Sequence, residues 1–475
     1  MKNQLILLLI VLVPTIGAIT LPLISWLSVR LRNFCALGFV LASFVLTIAI
    51  LPAVYTGQTI TTVTLFNNLV FYADGLAVFM ALVSASISAI IIFYSFGYIS
   101  HYENQNEYYL MVVLFFGAMM GLVFSGNLIF LYMFWEITAI TSWRLIGFFR
   151  EKQHVLRADK AFLVTMFGSV LMLLGFVSIY QQNGSFDLAV LKNTHISNIA
   201  VILILAGILS KSATLPLHTW LPDAGVAPSP VTALLHAALL VKIGVYVFAR
   251  LFIADNFIIA EYWHIIIPVI AGISALVSAG AAMIETDLKR IIAYSTVSQI
   301  SFIFLGLAIG NEIGVVGALL YIMMHGIAKG GLFLCAGIVE QNSKTKDITQ
   351  LGGLIKTMPI TAISFLLCSF SVMGIPPFGG FFSKYMVMTA ATQSGRLWIS
   401  FIFLAGAVMT IIYLLRVFNL VFMGQAKTQP VREGSAVMLI SVALLAALSL
   451  AGGILIYYPS HFLQLTVLQL PGICR

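Results

Sequence analysis

Long apolar segments follow one another along almost the whole chain, and they restrict its fold more than any other feature. A helix needs about 20 apolar residues to cross the hydrocarbon core of a bilayer, where its backbone must be hydrogen-bonded internally. We therefore predict an all-α polytopic membrane protein with about 14 transmembrane helices. The predicted spans are residues 4–27, 34–55, 75–98, 109–125, 127–149, 158–181, 198–221, 230–253, 264–285, 290–309, 312–339, 358–392, 398–423 and 436–458.

The composition agrees with a membrane protein and argues against several chemistries. Only 8% of the 475 residues are charged, against about 25% in soluble domains. The first apolar run has no small-residue cleavage site, so we expect it to remain as a helix. Four cysteines lie singly, in no pattern typical of an iron–sulfur or zinc site, and we expect them to pack between helices. They are Cys35, Cys335, Cys368 and Cys474.

Basic residues outside the predicted spans or near their ends indicate the orientation. If the N-terminus is external, the cytoplasmic loops carry thirteen of them and the opposite side five, which is a positive-inside bias. Both termini are then expected on the non-cytoplasmic side, and no clustered basic face indicates nucleic-acid binding. The first set is Arg30, Arg32, Arg150, Lys152, Arg157, Lys160, Lys289, Arg290, Lys344, Lys346, Lys356, Lys427 and Arg432, and the second is Lys2, Lys192, Arg250, Arg396 and Arg475.

Four lysines lie inside apolar spans, where a charge costs roughly 2.5 to 3.5 kcal/mol on insertion scales. Only one acid, Glu136, is predicted deep in a helix, so most of these lysines lack a carboxylate partner. Burial disfavours the charged form of a lysine, and groups ready to gain and lose a proton suit a proton relay. The lysines are Lys211, Lys242, Lys329 and Lys384.

Prolines interrupt two of these spans next to a lysine. Pro216 and Pro222 follow Lys211, and Pro376 and Pro377 precede Lys384. Broken helices at membrane depth are tolerated where they pack in protein or line a hydrated path, although such a lysine could also simply bind freed carbonyls. Because the interrupted spans are the seventh and the twelfth, they predict two inverted five-helix repeats, spans 4–8 and 9–13. The predicted divisions are residues 1–105, 106–256, 257–425 and 426–475.

Three histidines and two further charged residues are candidates for the same path. His325 and Lys329 share a helix face, whereas His218 and His236 could equally be neutral hydrogen-bonding residues between helices. Arg144 lies two turns after Glu136 and suits either a water-bridged contact or a headgroup anchor. Asp223 lies near a helix end, where water has access, and is a possible accessory group.

Several stretches resemble one family of membrane subunits. They are FWEITAITSWRLIGFF, LSKSATLPLHTWLPDAGVAPSPVTALLHAALLVKIGVYVFAR, DLKRIIAYSTVSQISF, HGIAKGGLFLCAG and GIPPFGGFFSK. They are similar to the antiporter-like subunits shared by respiratory complex I, Mrp-type sodium/proton antiporters and membrane-bound energy-converting hydrogenases. The resemblance is closest to the N-terminal module of the large Mrp subunit, including YADGLAVFM.

This resemblance implies a fourteen-helix core, two inverted repeats and a central hydrophilic axis. Glu136 and Lys211 would form a charge pair, and Lys384 would be the terminal lysine of the axis. Arg144 replaces an apolar residue, and Met166 and Ser169 replace charged residues of one complex I subunit, which leaves the host complex open. Between its two ends the axis would pass His236, Lys242, His325 and Lys329.

We therefore predict a proton-translocating subunit of a multisubunit membrane complex in a bacterial or archaeal cytoplasmic membrane. Its partners would be other membrane subunits, including homologous ones, besides lipid and H⁺. No nucleotide loop, flavin motif or metal cluster is recognisable, so redox chemistry or cation exchange in partners would drive it, and no cofactor or metal is expected in this chain. Transport of Na⁺ and membership of a proton-pumping oxidoreductase stay open, and a stand-alone solute transporter and a purely structural subunit are the rivals.

Overall fold

Helices form almost all of the regular structure in the computed structural model, which describes residues 2–62, 64–65, 68–69, 71–426 and 432–473. Lys427, Cys474 and Arg475, named above, lie outside these ranges. The helices are α1 (Lys2–Leu27), α2 (Val29–Tyr55), α3 (Gly75–Tyr98), α4 (Gln105–Val123), α5 (Leu128–Ile146), α6 (Lys152–Asn183), α7 (Leu188–Leu191), α8 (Asn198–Lys211), α9 (Trp220–Asp223), α10 (Ser229–Ala233), α11 (Leu240–Phe248), α12 (Trp263–Ile284), α13 (Leu288–Ile309), α14 (Glu312–Ser343), α15 (Pro359–Met373), α16 (Gly379–Gln393), α17 (Leu397–Val421), α18 (Ala436–Ile454) and α19 (Tyr457–Val467).

A short antiparallel segment joins α2 and α3. Strand β1 (Ile60–Thr61) pairs with β4 (Tyr72–Ala73), and between them β2 (Thr64–Leu65) pairs with β3 (Asn68–Leu69). Asp74 then caps α3, because its side chain accepts a hydrogen bond from the backbone N–H of Ala77 at 2.9 Å. The expectation of an all-α chain is thus correct apart from these two-residue strands.

Within the described ranges, twelve helical spans are long and apolar enough to cross a membrane. Apolar side chains such as Leu23, Phe34, Phe167, Ile273 and Phe401 are exposed on the outer helices, where lipid would cover them. The chain is therefore a polytopic helical membrane protein.

Two predicted spans are interrupted helices. The span predicted at 198–221 consists of α8, a turn, and the short α9, and the span predicted at 358–392 consists of α15 and α16. Prolines cause both breaks because they lack the N–H that a helix requires. At the second break Gly374 has a φ of 83°, a left-handed conformation that ends α15 and that a residue without Cβ adopts readily.

The most buried part of the molecule is the span Ser229–Ala254, followed by α13 and α14. This span alternates between α10, a π-helical turn (Leu234–Ala238), α11 and a second π-helical segment (Ala249–Ala254). Such turns interrupt the regular hydrogen-bond ladder and are frequent at functional sites. The predicted lysines, Glu136 and the histidines lie on these central helices, on α5 or at the two breaks.

Candidate functional site

Lys211 is the last residue of α8 and is completely buried. Its Nζ donates a hydrogen bond to the carbonyl oxygen of Trp135 on α5 at 3.2 Å and lies 5.2 Å from the centre of the Trp135 ring. At the break after Lys211, the indole Nε1 of Trp220 donates to the Ser210 carbonyl at 2.9 Å. The break therefore has part of its freed backbone satisfied and holds the lysine against α5.

Glu136 does not form the expected ion pair in this structure. Among the described side chains, no salt bridge within 4.0 Å joins it to Lys211, although it follows Trp135 directly. Its Oε1 is buried without a hydrogen-bond partner in this part of the chain. The two groups are neighbours on facing helices, with the lysine bound to a carbonyl and not to the carboxylate.

Lys242 lies on α11 and faces α14. Its Nζ is buried, has no hydrogen-bond partner within the described ranges, and occupies the space beside Gly326 that a Cβ would fill. His325 is adjacent to this glycine, and both of its ring nitrogens are likewise unpartnered there. The space that Gly326 leaves by lacking a side chain therefore holds an ammonium group.

His236 lies in the first π-helical turn and is completely buried. Its ring packs on Phe333 of α14 with centroids 4.5 Å apart. Neither ring nitrogen has a partner in the residues that the structure describes. Buried polar atoms of this kind usually bind water or another unseen group, so His236, Lys242 and His325 form a region able to take up such hydrogen bonds.

Lys329 begins a chain of side-chain hydrogen bonds that sequence analysis did not identify. Its Nζ donates to Ser295 Oγ at 2.5 Å and to the Ile292 carbonyl at 3.2 Å. Ser295 Oγ bonds Tyr413 Oη at 2.6 Å, and Tyr413 Oη donates to Thr410 Oγ1 at 3.3 Å. The chain thus passes from α14 through α13 to α17.

The same chain returns to α14. Thr410 Oγ1 accepts a second hydrogen bond from Gln299 Nε2 at 3.4 Å, and Gln299 Oε1 accepts one from Tyr321 Oη. All these side chains are fully or almost fully buried. The only sequence signal is that Ser295 and Gln299 stand four residues apart, on one face of an apolar helix, within one of the resembling stretches.

Lys384 lies at the second break. Its Nζ donates to the carbonyls of Val372 at 2.6 Å and Met373 at 3.3 Å, which are the last residues of α15. The C-terminal end of a helix carries partial negative charge and favours a cation. Nζ also lies 5.9 Å from the centre of the Tyr321 ring, so the hydrogen-bonded chain from Lys329 ends beside Lys384.

The accessory candidates lie away from this path. Arg144 forms an ion pair with Glu107 on α4, which also pairs with Arg150 at 2.7 Å, whereas the sequence had left open a water-bridged contact with Glu136 or a headgroup anchor. An acid on the neighbouring helix is a closer partner than one two turns away. His218 is half-buried in the first break, and its Nδ1 is unpartnered in the described structure.

Asp223 forms ion pairs with Lys160 at 2.7 Å and Arg290 at 2.6 Å, and Arg290 also pairs with Glu285 at 2.8 Å. Burial raises the pKa of Asp223, but hydrogen bonds from Lys160 and Arg290 and their charges outweigh this and leave it below the ordinary value. Asp223 therefore joins α9 to α6 and α13 as a charged clamp.

Comparisons with known proteins agree with this fold. The sequence model described as "NADH:quinone oxidoreductase/Mrp antiporter, TM" matches residues 125–410, more than half of the chain. The model of the N-terminus of chain 5 of NADH-ubiquinone oxidoreductase (complex I) matches residues 60–109. The chain belongs to the membrane family shared by NADH:quinone oxidoreductases and Mrp antiporters, which confirms the resemblance.

Curated relatives include the Na(+)/H(+) antiporter subunit A1 of Staphylococcus aureus, 31% identical over 94% of this chain, and that of Staphylococcus haemolyticus, 34% identical over 82%. The matches cover 60% and 52% of those proteins, so this chain spans only part of their length. A chain in the Mrp complex of Dietzia sp. DQ12-45-1b superposes with a TM-score of 0.90 at 21% identity, covering 99% of this chain and 98% of that chain. A chain in an archaeal membrane-bound sulfane sulfur reductase superposes with a TM-score of 0.88 at 23% identity, covering 98% and 97%. At these identities the structures show the shared fold.

Proposed function

We propose that this chain is a proton-translocating, antiporter-like subunit of a multisubunit membrane complex. The observation that carries the proposal is the buried chain of hydrogen bonds that leads from Lys329 to Tyr321, beside Lys384. Proton transfer requires a nearly continuous run of hydrogen-bonding groups, and water can bridge the remaining gaps. Lys242 on α11 lies beside Gly326 of α14, the helix that also carries Lys329, and it continues this series of groups toward the first break.

Glu136 would control the first step. When its carboxylate turns toward Lys211, the charged form of the lysine is favoured, and when it turns away the proton is released toward Lys242 and His325. The proton would then pass by way of Lys329 to Lys384. His236 would take part beside Lys329. Moving one charge across the membrane is worth about 2.3 kcal/mol per 100 mV. The electrostatic energy change when one nearby charge moves in a medium of low dielectric constant can supply this amount.

The architecture proposed for this function has fourteen spans and two inverted five-helix repeats, at 106–256 and 257–425, with residues 1–105 and 426–475 outside them. The two interrupted helices support it, because Lys211 ends α8 and Lys384 binds the end of α15. In membrane transporters built from two repeats, interrupted helices at corresponding positions indicate the transport site.

The proposed surroundings are a bacterial or archaeal cytoplasmic membrane, with both termini on the non-cytoplasmic side. The partners would be further membrane subunits, including homologous ones, and they would hold any redox centre, so that this chain needs no cofactor of its own. The names of the staphylococcal relatives favour one version of the proposal, a subunit of an Mrp-type Na⁺/H⁺ antiporter. Exchange of Na⁺ would then energise the same proton path.

Replacement of Lys384 tests the proposal in vesicles that contain the chain with its partner subunits. Lys384→Ala should abolish most proton flux while the complex still assembles, and Lys384→Arg should also fail because a guanidinium group cannot release its proton. The exposed Lys152→Ala is the matched control. Proton flux near the wild-type level in the arginine variant would remove Lys384 from the path.

A further inference from the structure

A second buried cluster of charges lies at the end of the span Ser229–Ala254, away from the path described above. The guanidinium group of Arg250 donates to both carboxylate oxygens of Asp74, at 2.6 and 2.7 Å, and its side chain is only 2% exposed. Arg250 is among the basic residues that the sequence places on the non-cytoplasmic side. Arg250 and Asp74 are in fact both buried, because each satisfies the other across α3 and the second π-helical segment.

This cluster is connected to Lys242 along one helix. Tyr246 lies one turn after Lys242 on α11, on the same face, and its hydroxyl accepts hydrogen bonds from Arg250 at 3.0 and 3.1 Å. The hydroxyl donates in turn to the carbonyl of Val123 at 2.5 Å. A polar stripe therefore runs from the unpartnered amine of Lys242 toward the end of the helix.

Asp255 stands where this stripe reaches the end of the span. Its backbone N–H donates to the Arg250 carbonyl at 2.8 Å, and its backbone carbonyl accepts from Asn193 N at 2.9 Å, which fixes the residue on both sides. The residue is only 7% exposed, and its Oδ2 has no partner in the part of the chain that the structure describes. A carboxylate held this way is either protonated or in need of another donor.

Burial and the neighbouring charges both act on the pKa of Asp255. Burial raises the pKa of Asp255 to about 7, with attraction to Arg250 opposing the rise and repulsion by Asp74 adding to it. Asp74 differs, because attraction to Arg250 outweighs burial and keeps its pKa below the ordinary value. The titratable and charged groups facing Asp255 are Arg250, Asp74, Lys192, Tyr72 and Tyr246.

A cavity opens next to Asp255. Its volume is about 740 Å³, and it lies at this end of the molecule, between the span Ser229–Ala254, α12, α13 and α17. Ile253 and Asn256, which flank Asp255 in sequence, line it, as does Gly472, whose N–H donates to the Ile253 carbonyl at 3.1 Å. The acid thus lies between this cavity and the polar stripe.

We propose that Asp255 exchanges protons between the water of this cavity and Lys242. The inference rests on the proposed function and adds a port on the side of the membrane where both termini would lie. The carboxylate of Asp255 takes a proton from a hydronium ion, leaving water. The carboxyl proton then passes through bridging water to the neutral amine of Lys242, so that Asp255 is again a carboxylate and Lys242 an ammonium.

The test measures proton flux in right-side-out vesicles of the whole complex while the external pH is varied at constant internal pH. Wild-type flux should change with external pH at about 7, because Asp255 is protonated below its pKa and ionised above it. Asp255→Asn should lower flux about tenfold, which corresponds to a barrier raised by about 1.4 kcal/mol, and should remove this pH dependence. Asp255→Glu should restore both, which a purely structural role would not predict.

The exposed Glu261→Gln, on the wall of the same cavity, is the matched control and should behave as wild type. Asp255→Asn with wild-type flux and pH profile would overturn the inference. If that variant does not accumulate, infrared titration of the wild-type complex decides, because an unprotonated Asp255 throughout the range around pH 7 would also overturn it. Lys384→Ala is measured in parallel. Normal proton flux in Lys384→Ala would contradict the proposed function. Loss of flux in Lys384→Ala together with normal flux in Asp255→Asn would contradict only the proposed role of Asp255.

Discussion

Lys211 Nζ donates its hydrogen bond to the carbonyl oxygen of Trp135, 3.2 Å away, and not to the carboxylate of the next residue, Glu136. The lysine is therefore held against α5 by a neutral acceptor. A carbonyl leaves the ammonium charge uncompensated, whereas a carboxylate would neutralise it. In the proposed switch, this contact with the carbonyl is one of the two positions of the Lys211 ammonium group, and contact with Glu136 is the other.

If Glu136 and Lys211 act as one switch, their replacements should not be independent. Glu136→Gln and Lys211→Ala should each reduce proton flux, and the double variant should lose no more than the worse single variant. Flux is measured in one vesicle preparation, with Glu261→Gln combined with Lys211→Ala as the matched pair. Losses that multiply in the Glu136 and Lys211 double variant would show separate roles.

Tyr413→Phe removes one hydroxyl from the chain between Lys329 and Tyr321. Because Ser295 and Thr410 both lose a buried partner, stability should fall by about 1 kcal/mol. Proton flux should fall about tenfold, since one interrupted link that adds about 1.4 kcal/mol to the barrier has that effect. Tyr385→Phe, at a side chain that is 57% exposed, is the control. Unchanged flux in Tyr413→Phe would mean that water bypasses this side-chain chain.

Gly326→Ala would put a methyl group where the Nζ of Lys242 lies. Overpacking of this kind costs about 1–3 kcal/mol, and the displaced amine should lose its position beside His325, so both melting temperature and proton flux should fall. Gly38→Ala serves as the control, because the added Cβ on α2 meets no heavy atom within 4 Å. A variant with normal flux would show that the position of the Lys242 amine beside α14 is unimportant.

The clamp at Asp223 predicts a pH-dependent stability. Its pKa is lowered in the folded protein, so the stability it contributes is present above the pKa of the unfolded chain and is lost as pH falls through the folded value. Asp223→Asn should therefore lower the melting temperature at pH 7. The free energy of unfolding should fall by about 1 kcal/mol, because both ion pairs are partly exposed. The difference should disappear in acid. Glu103→Gln, at an exposed residue, is the control, and a difference that persists unchanged in acid would contradict the clamp.

Residue type and spacing predicted the parts of the molecule that depend on local sequence. The lysines are buried because they lie within apolar runs, and both proline clusters interrupt their helices at the expected places. Asp74, however, meets Arg250 from 176 positions away, and Ser295 meets Tyr413 from 118. Single polar residues near the ends of apolar spans resemble loop residues until the packing of distant helices supplies their partners.

For the same reason, the sequence did not predict the partner of Arg144 or the chain of hydroxyl groups. Glu107, the partner of Arg144, stands at the start of a separate helix, in a stretch that could equally have been a solvated loop. Serine, threonine and tyrosine occur throughout apolar helices, where each can satisfy its hydroxyl on its own backbone. Their connection into one chain depends on the rotation of α13 and α17 about their axes, which no local pattern specifies.

The π-helical turn at Leu234–Ala238 also determines where this chain can change in length. A π turn holds one residue more than an α turn, so the loss of a single residue there would leave a regular helix and keep the later side chains on their present faces. The loss of a residue within Leu240–Phe248 would instead rotate Arg250 by about 100° relative to the preceding helix and carry it away from Asp74. Homologous chains that keep the ion pair should therefore differ in length at the first place and not at the second.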